Sequence, residues 1–155
     1  MNIFVLDLDP IKCAIYHSDK HCIKQILESA QLLCGVHWFT GQSAPYKLTH
    51  KNHPCSIWVR QSIKNYQFLC KLGKELCNEY TYRYGKTHKS ESVIDWCIEN
   101  TPNIPDIGFT CLPKAMPDEY KVDSVVESYR KYYIGSKYSF AYWKNRNTPE
   151  WFKIK

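Results

Sequence analysis

No apolar run in this chain approaches the ~20 residues of a membrane-spanning helix, which excludes an integral helical membrane protein. The opening MNIFVLDLDP lacks the basic start of a secretory signal and turns acidic by residue 7, so an intracellular location is expected. None of the eight cysteines stands in a C-x-x-C pair. Cys13, Cys22, Cys34, Cys70, Cys77 and Cys97 instead fall inside apolar helical patterns, where a reduced thiol behaves as a small core residue. The expected compartment is therefore a reducing one. Repeats, low-complexity tracts and linkers are also missing, and 155 residues suffice to bury a core, so residues 1–155 read as a single domain.

What the chain does have is charge of one sign and flat rings. Net charge is +6 and aromatics make up 15%, with 12 Tyr and 5 Trp. Phosphates recruit Lys and Arg, and bases recruit aromatic faces, so DNA or a nucleotide is the expected partner, with no membrane partner.

Periodicity predicts a mainly α, compact helical bundle with a short extended N-terminal arm or strand. In NIFVLDLD, Phe4, Leu6 and Leu8 share one face at period 2, with Ile3, Val5 and Asp7 on the other. Asp9-Pro10 then caps and starts a helix expected to run to about Cys34, with Gly35 as its stop. A second helix, from Pro54 to a stop at Gly85, keeps apolar spacing for about 30 residues, with Gly73 as a potential bend. A short helix follows Ser90, and another runs from Asp123-Ser124 to about Tyr133, closed by Gly135.

Three clusters carry candidate chemistry. The first is YHSDKH, Tyr16 to His21. On a continuous helical wheel, His17, His21, Lys24 and Glu28 form a polar stripe, while Asp19 points with Ile15, Ile26 and Ala30 toward the core. A carboxylate there needs a cation, several donors or a proton. The stripe reads as a solvated face, as a metal site or as an active site. For a metal, His17 and His21 at i, i+4 would join Cys13 and one of His50, His53 or Cys55, but no H-E-x-x-H is present. As an active site, Lys20 beside imidazoles would supply a free amine. No metal and no cofactor is assigned. The second cluster is THKNHP, where His50, Lys51 and His53 stand at a helix N-terminus suited to phosphate, although Asn52 or His53 before Pro54 also fits an ordinary cap. The third is EYTYRYGKTHKS, which interleaves Tyr80, Tyr82 and Tyr84 with Arg83, Lys86, His88 and Lys89. The tail repeats that pattern with Trp143, Lys144, Arg146, Trp151, Phe152 and Lys153.

The set DLDPIKCAIYHSDKH, APYKLTHKNHPCSIWVR, EYTYRYGKTHKS, AMPDEYKV and ESYRKYYI resembles, over nearly the whole chain, a family of small proteins from phages and large DNA viruses. That likeness implies a host cytoplasmic or virion-associated protein. The layout is also similar to the phage pyrimidine-dimer DNA glycosylases with abasic-site lyase activity. Those are all-α and close to this size, with an N-terminal arm, a catalytic carboxylate on the first helix and a basic aromatic tail. The parallels here are Met1–Leu8, the YHSDKH helix and NTPEWFKIK. This second resemblance implies a glycosylase working through a Schiff-base amine. Two features depart from it: Asn2 is expected to leave Met1 in place, where the family uses the amine exposed by loss of that residue, and the family's Arg/Glu arrangement on the first helix is missing from YHSDKH. The expectation is therefore a Lys20 amine attacking C1′, Asp19 or Glu28 stabilising the oxocarbenium charge, and His17 or His21 moving protons. A non-catalytic nucleic-acid binder and a small enzyme acting on a phosphorylated ligand are the competing readings.

Overall fold

Asp9 and Pro10 open the first helix as their chemistry dictates: Asp9 Oδ1 accepts from the Ile11 amide at 3.0 Å and Pro10 takes the first turn. The computed structural model describes residues 1–153. Its helices are α1 (Pro10–Tyr16), α2 (Asp19–Phe39), α3 (Pro54–Gln61), α4 (Ile63–Tyr84), α5 (Glu91–Glu99) and α6 (Val125–Tyr132). A π-turn, Tyr133–Lys137, follows α6, and single 3-10 turns occupy Asp118–Tyr120 and Tyr138–Phe140. No strand occurs among the described residues, so the mainly α reading holds and the N-terminal segment is an arm. No helix is long and apolar enough to cross a membrane among the described residues.

The predicted first helix is two helices, and its break has a tertiary cause. His17 and Ser18 are extended (ψ 132° and 161°), which leaves backbone groups on both sides without helical partners. Distant groups satisfy them. Trp143 Nε1 donates to Tyr16 O at 2.8 Å, Arg83 Nη2 donates to Ile15 O at 3.0 Å, and the Asp19 amide donates to Tyr142 O at 2.7 Å. At the other end, Gly35 does not stop α2. It lets Leu48 approach, whose Cδ1 would lie 3.2 Å from an added Cβ, and the helix runs on to Phe39 before Gly41 turns at φ +87°.

The predicted second helix is likewise split, at Ser62 (φ −152°, ψ 145°), whose hydroxyl accepts from the Lys64 amide at 3.3 Å. Helix α4 continues unbroken through Gly73, where a Cβ would meet Ile94 Cδ1 at 3.0 Å and Ser29 Cβ at 3.6 Å. The missing side chain thus lets α2 and α5 close on α4, the central helix packed by α1, α2, α3 and α5. Gly85 ends α4 in the left-handed region as expected. Gly135 sits inside the π-turn rather than closing α6.

The arm departs most from its pattern. Ile3, Phe4, Val5 and Leu6 are all buried, so both faces are inserted into the core, while Leu8 is exposed. Arg130 Nε donates to Leu6 O at 2.9 Å and Phe4 packs on Tyr129, Tyr132 and Tyr133. All eight cysteines are free and seven are buried. Burial pushes the thiols of Cys13, Cys22, Cys55, Cys70 and Cys77 up to about 12, so they remain protonated core groups.

Candidate active site

Helix α2 carries His21, Lys24, Gln25 and Glu28 on one face, and the inserted arm roofs that face with Met1, Asn2 and Phe4. Ala115, Tyr132 and Lys137 complete a cavity of about 310 Å³. Larger hollows lie elsewhere on the surface, but this one holds the convergent chemistry. Glu28 is buried, and its Oε1 lies 3.2 Å from the Met1 α-amine and 3.1 Å from the Asn2 amide nitrogen. Lys24 Nζ stands 4.0 Å from its Oε2.

His21 is the second fixed group. Its Nδ1 lies 2.5 Å from the Tyr133 hydroxyl, which accepts from the Ser18 amide at 3.3 Å. With the phenol donating to Nδ1, the proton of the neutral ring sits on Nε2. The ring stacks on Phe4 at 4.2 Å and 26°. Burial, then the charges of His17, Lys137 and Lys24, push its pKa down to about 3. The imidazole is therefore uncharged at neutral pH.

The other residues predicted from YHSDKH stand apart. His17 is buried, bonded through Nδ1 to Cys13 O at 2.7 Å, with Nε2 unpartnered and a pKa lowered to about 4, chiefly by burial. Asp19 has the cation and the donor expected of it, pairing with Arg83 at 3.0 Å and accepting from the Lys144 amide at 2.9 Å, but its side chain is 23% exposed rather than in the core. Lys20 is exposed, with Nζ 5.0 Å over the Phe140 ring, and does not line the cavity. The continuous wheel misplaced Asp19 and His17 because the break at His17–Ser18 resets the helical phase. From residue 19 onward the stripe is real, but the arm turns it from an outer face into an inner one. No group of three or more His, Cys, Asp or Glu among the described residues could hold a metal.

The THKNHP cluster is linked to this site electrostatically, through His53. His53 caps α3, its Nδ1 accepting from the Cys55 amide at 3.0 Å. Its pKa is lowered first by burial, then by the α-amine and His50, against an opposing effect of Glu28, so it lies in the field of the amine–carboxylate pair. His50 and Lys51 are exposed, with His50 bonded to Thr49 at 2.7 Å.

The basic residues divide sharply. Lys86 and Lys89 are exposed and line a second hollow of about 520 Å³ with Ile23, Leu27 and Tyr80; Lys24 borders both hollows. Lys153 is also exposed. Arg83, Arg146, Trp143 and Trp151, expected at a nucleic-acid surface, are engaged in contacts within the fold, although Arg146 keeps a part-exposed side chain over Tyr82. The Arg83 side chain is fully inaccessible between Glu79 (2.8 Å) and Asp19. Arg146 grips both Glu79 oxygens at 3.0 and 2.9 Å. Burial opposes the Glu79 charge, but hydrogen bonds from Arg146 and Arg83 outweigh it and hold its pKa below the usual range. Trp143 is spent on Tyr16, and Trp151 packs against Tyr16, Tyr133 and Arg130. The aromatic tail is a strap that closes the α1–α2 break.

The sequence reading missed the Met1 amine. The signal available was the resemblance itself, which implied an α-amine; Asn2 was taken to remove it, whereas a retained Met1 brings its own.

An all-helical protein with an inserted arm, whose first amine and a helix-borne carboxylate share one cavity, is the class these observations define. The family model described as pyrimidine dimer DNA glycosylase matches residues 1–92, spanning the arm, α1 to α4 and the start of α5. The chain belongs to that family, and the function carried at family level is DNA repair of the glycosylase type. Met1, His21, Glu28 and His53 lie within the match; Ala115, Tyr132 and Lys137 lie beyond it. No curated protein and no solved structure matches the chain.

Proposed function

We propose that this protein excises a damaged pyrimidine, a pyrimidine dimer as the family's description names it, from DNA through an imine formed by the Met1 α-amine. The observation that carries the reading is the 3.2 Å contact between that amine and the buried Glu28 carboxylate. Glu28 takes a proton from the amine, whose lone pair forms the N–C1′ bond. The bond from C1′ to the base breaks, its electron pair leaves with the pyrimidine, and the base takes up that proton. One of the two remaining amine protons passes to O4′ as the C1′–O4′ bond breaks and the sugar ring opens, giving the protonated imine. Glu28 then removes a C2′ proton and the C3′–O bond breaks, cutting the strand. His21 donates from Nε2 to a sugar or phosphate oxygen without changing charge. The cavity, at the small end of ligand pockets, suits one sugar-phosphate unit, with the bases outside it. Lys24, Lys86 and Lys89, with His50, Lys51 and Lys153, are the phosphate contacts we assign, and a reducing intracellular compartment fits the free thiols.

The test is borohydride trapping on a duplex with one abasic site, followed by peptide mapping of the adduct. A covalent adduct on Met1, lost or slowed about 10²-fold or more in Glu28→Gln, is expected. DNA binding without any adduct, or an adduct on Lys20, refutes the assignment.

A further inference from the structure

Burial alone does not place the nucleophile. Fully burying Ile3, Phe4, Val5 and Leu6 is worth roughly 8 kcal/mol in apolar transfer, whereas ordering each backbone residue costs roughly 1–2 kcal/mol. Little surplus remains to extend order toward the chain start. Met1 lies two residues beyond the first apolar anchor, and each residue adds up to about 3.5 Å of reach. An amine so tethered could sweep several ångströms, while reaction requires placement to within a fraction of one.

We infer that Asn2 is the positioning residue for the reacting amine, through a clamp to Tyr129 and Ala115; this rests on Met1 being the nucleophile. Asn2 Oδ1 accepts from the Tyr129 hydroxyl at 2.8 Å and from the Ile3 amide at 2.7 Å. Asn2 Nδ2 donates to Ala115 O at 2.9 Å, and the Ala115 amide returns a hydrogen bond to the Tyr129 hydroxyl at 3.3 Å. Helix α6, the loop before it and the arm are thereby locked to one planar side chain. Tyr129 is wholly buried, and burial raises its pKa, so the phenol keeps its proton and remains a donor. The clamp requires an acceptor and a donor on the same short group. Asp supplies no donor and Leu supplies neither, whereas the amide supplies both. The Asn2 side chain is fastened away from Glu28 while its own amide donates to Glu28 Oε1, so Met1 and the carboxylate are fixed by a single residue.

The experiment compares wild type, Tyr129→Phe, Asn2→Asp and Ile94→Ala, each confirmed by intact mass to begin at Met1. Adduct formation on abasic duplex is followed under single turnover, well below each Tm, over a range of DNA concentrations. Tyr129→Phe and Asn2→Asp should lose roughly 10–100-fold in maximal adduct rate with half-saturation unchanged. Ile94→Ala, a cavity in α5 at a residue that does not line the site, should lower Tm and leave that rate alone. An unchanged rate in Tyr129→Phe, or a fall no larger than that of Ile94→Ala, overturns the clamp while the wild-type Met1 adduct still stands. A wild-type adduct on a lysine, or none, overturns the nucleophile assignment and the clamp with it.

Discussion

His17 and His21 make stability steeply dependent on pH, and the size of the effect follows from their surroundings. Each is neutral in the fold, because a charged ring at His17 would carry its second proton on a buried Nε2 with no partner. The folded pKa values are about 4 for His17 and about 3 for His21, against 6.5 for the unfolded chain. A histidine whose pKa is depressed by folding binds more protons when unfolded, so stability rises with pH and is lost as pH falls below 6.5. The loss saturates only near the folded pKa. At ~1.36 kcal/mol per pH unit per group, the pair removes about 4 kcal/mol by pH 5 and about 6 by pH 4. That is a third or more of the ~5–15 kcal/mol typical of a domain. His37 and His53, also lowered, act in the same direction.

Urea denaturation at fixed pH values between 7.5 and 4.5 measures this directly. The free energy of unfolding should fall with a limiting slope of at least two protons. In His17→Asn, whose amide can still donate toward Cys13 O, the slope should be shallower by one proton. A wild-type curve flat from pH 7 to 5, or a slope unaltered by His17→Asn, would show that these rings are not held neutral. The site would then lose its uncharged donor at His21. If the reasoning is right, acid inactivation tracks unfolding rather than titration of His21.

Three further outcomes are expected. Glu79→Gln leaves the buried Arg83 guanidinium with Asp19 as its one remaining carboxylate and loosens Arg146, so stability in urea should drop by about 1–3 kcal/mol and protease should reach the tail; a loss under 1 kcal/mol would contradict a strap role. Gly135→Ala drives a Cβ into the Tyr120 ring, and the resulting shift of the π-turn should cost about 1–3 kcal/mol in thermal or urea unfolding. Replacing Lys24, Lys86 and Lys89 together by Gln should flatten the dependence of log K on log salt by about 0.9 per lost phosphate contact, read by fluorescence anisotropy on duplex DNA. An unchanged slope would remove the second hollow from the DNA-binding surface.

The parts of the fold that could be read from sequence are those decided within a turn of the chain. Asp9-Pro10, Ser124 and Gly85 act on amides or carbonyls two to four residues away, and each stands where local chemistry put it. The break at His17–Ser18 could not be read in this way. Its orphan carbonyl at Tyr16 is satisfied by Trp143, 127 positions later, and the one at Ile15 by Arg83, 68 positions later. A helical wheel carries no such information, so it ran His17 and Asp19 in phase with residues on the far side of a break. The same tail residues were misread for the same reason. Rings and cations alternating along a chain look identical whether they meet bases or close a gap in a helix, and only the bidentate hold of Glu79 on Arg146 distinguishes the two. The candidate site follows this division. Glu28 was legible because charge spacing along α2 is local. Its partner was not, because an α-amine has no letter of its own in a sequence. Its position depends on how deeply the arm is inserted, and the arm was expected to keep alternate faces where both proved buried. A lysine was therefore sought for an amine that the chain places by folding its first residue back onto α2.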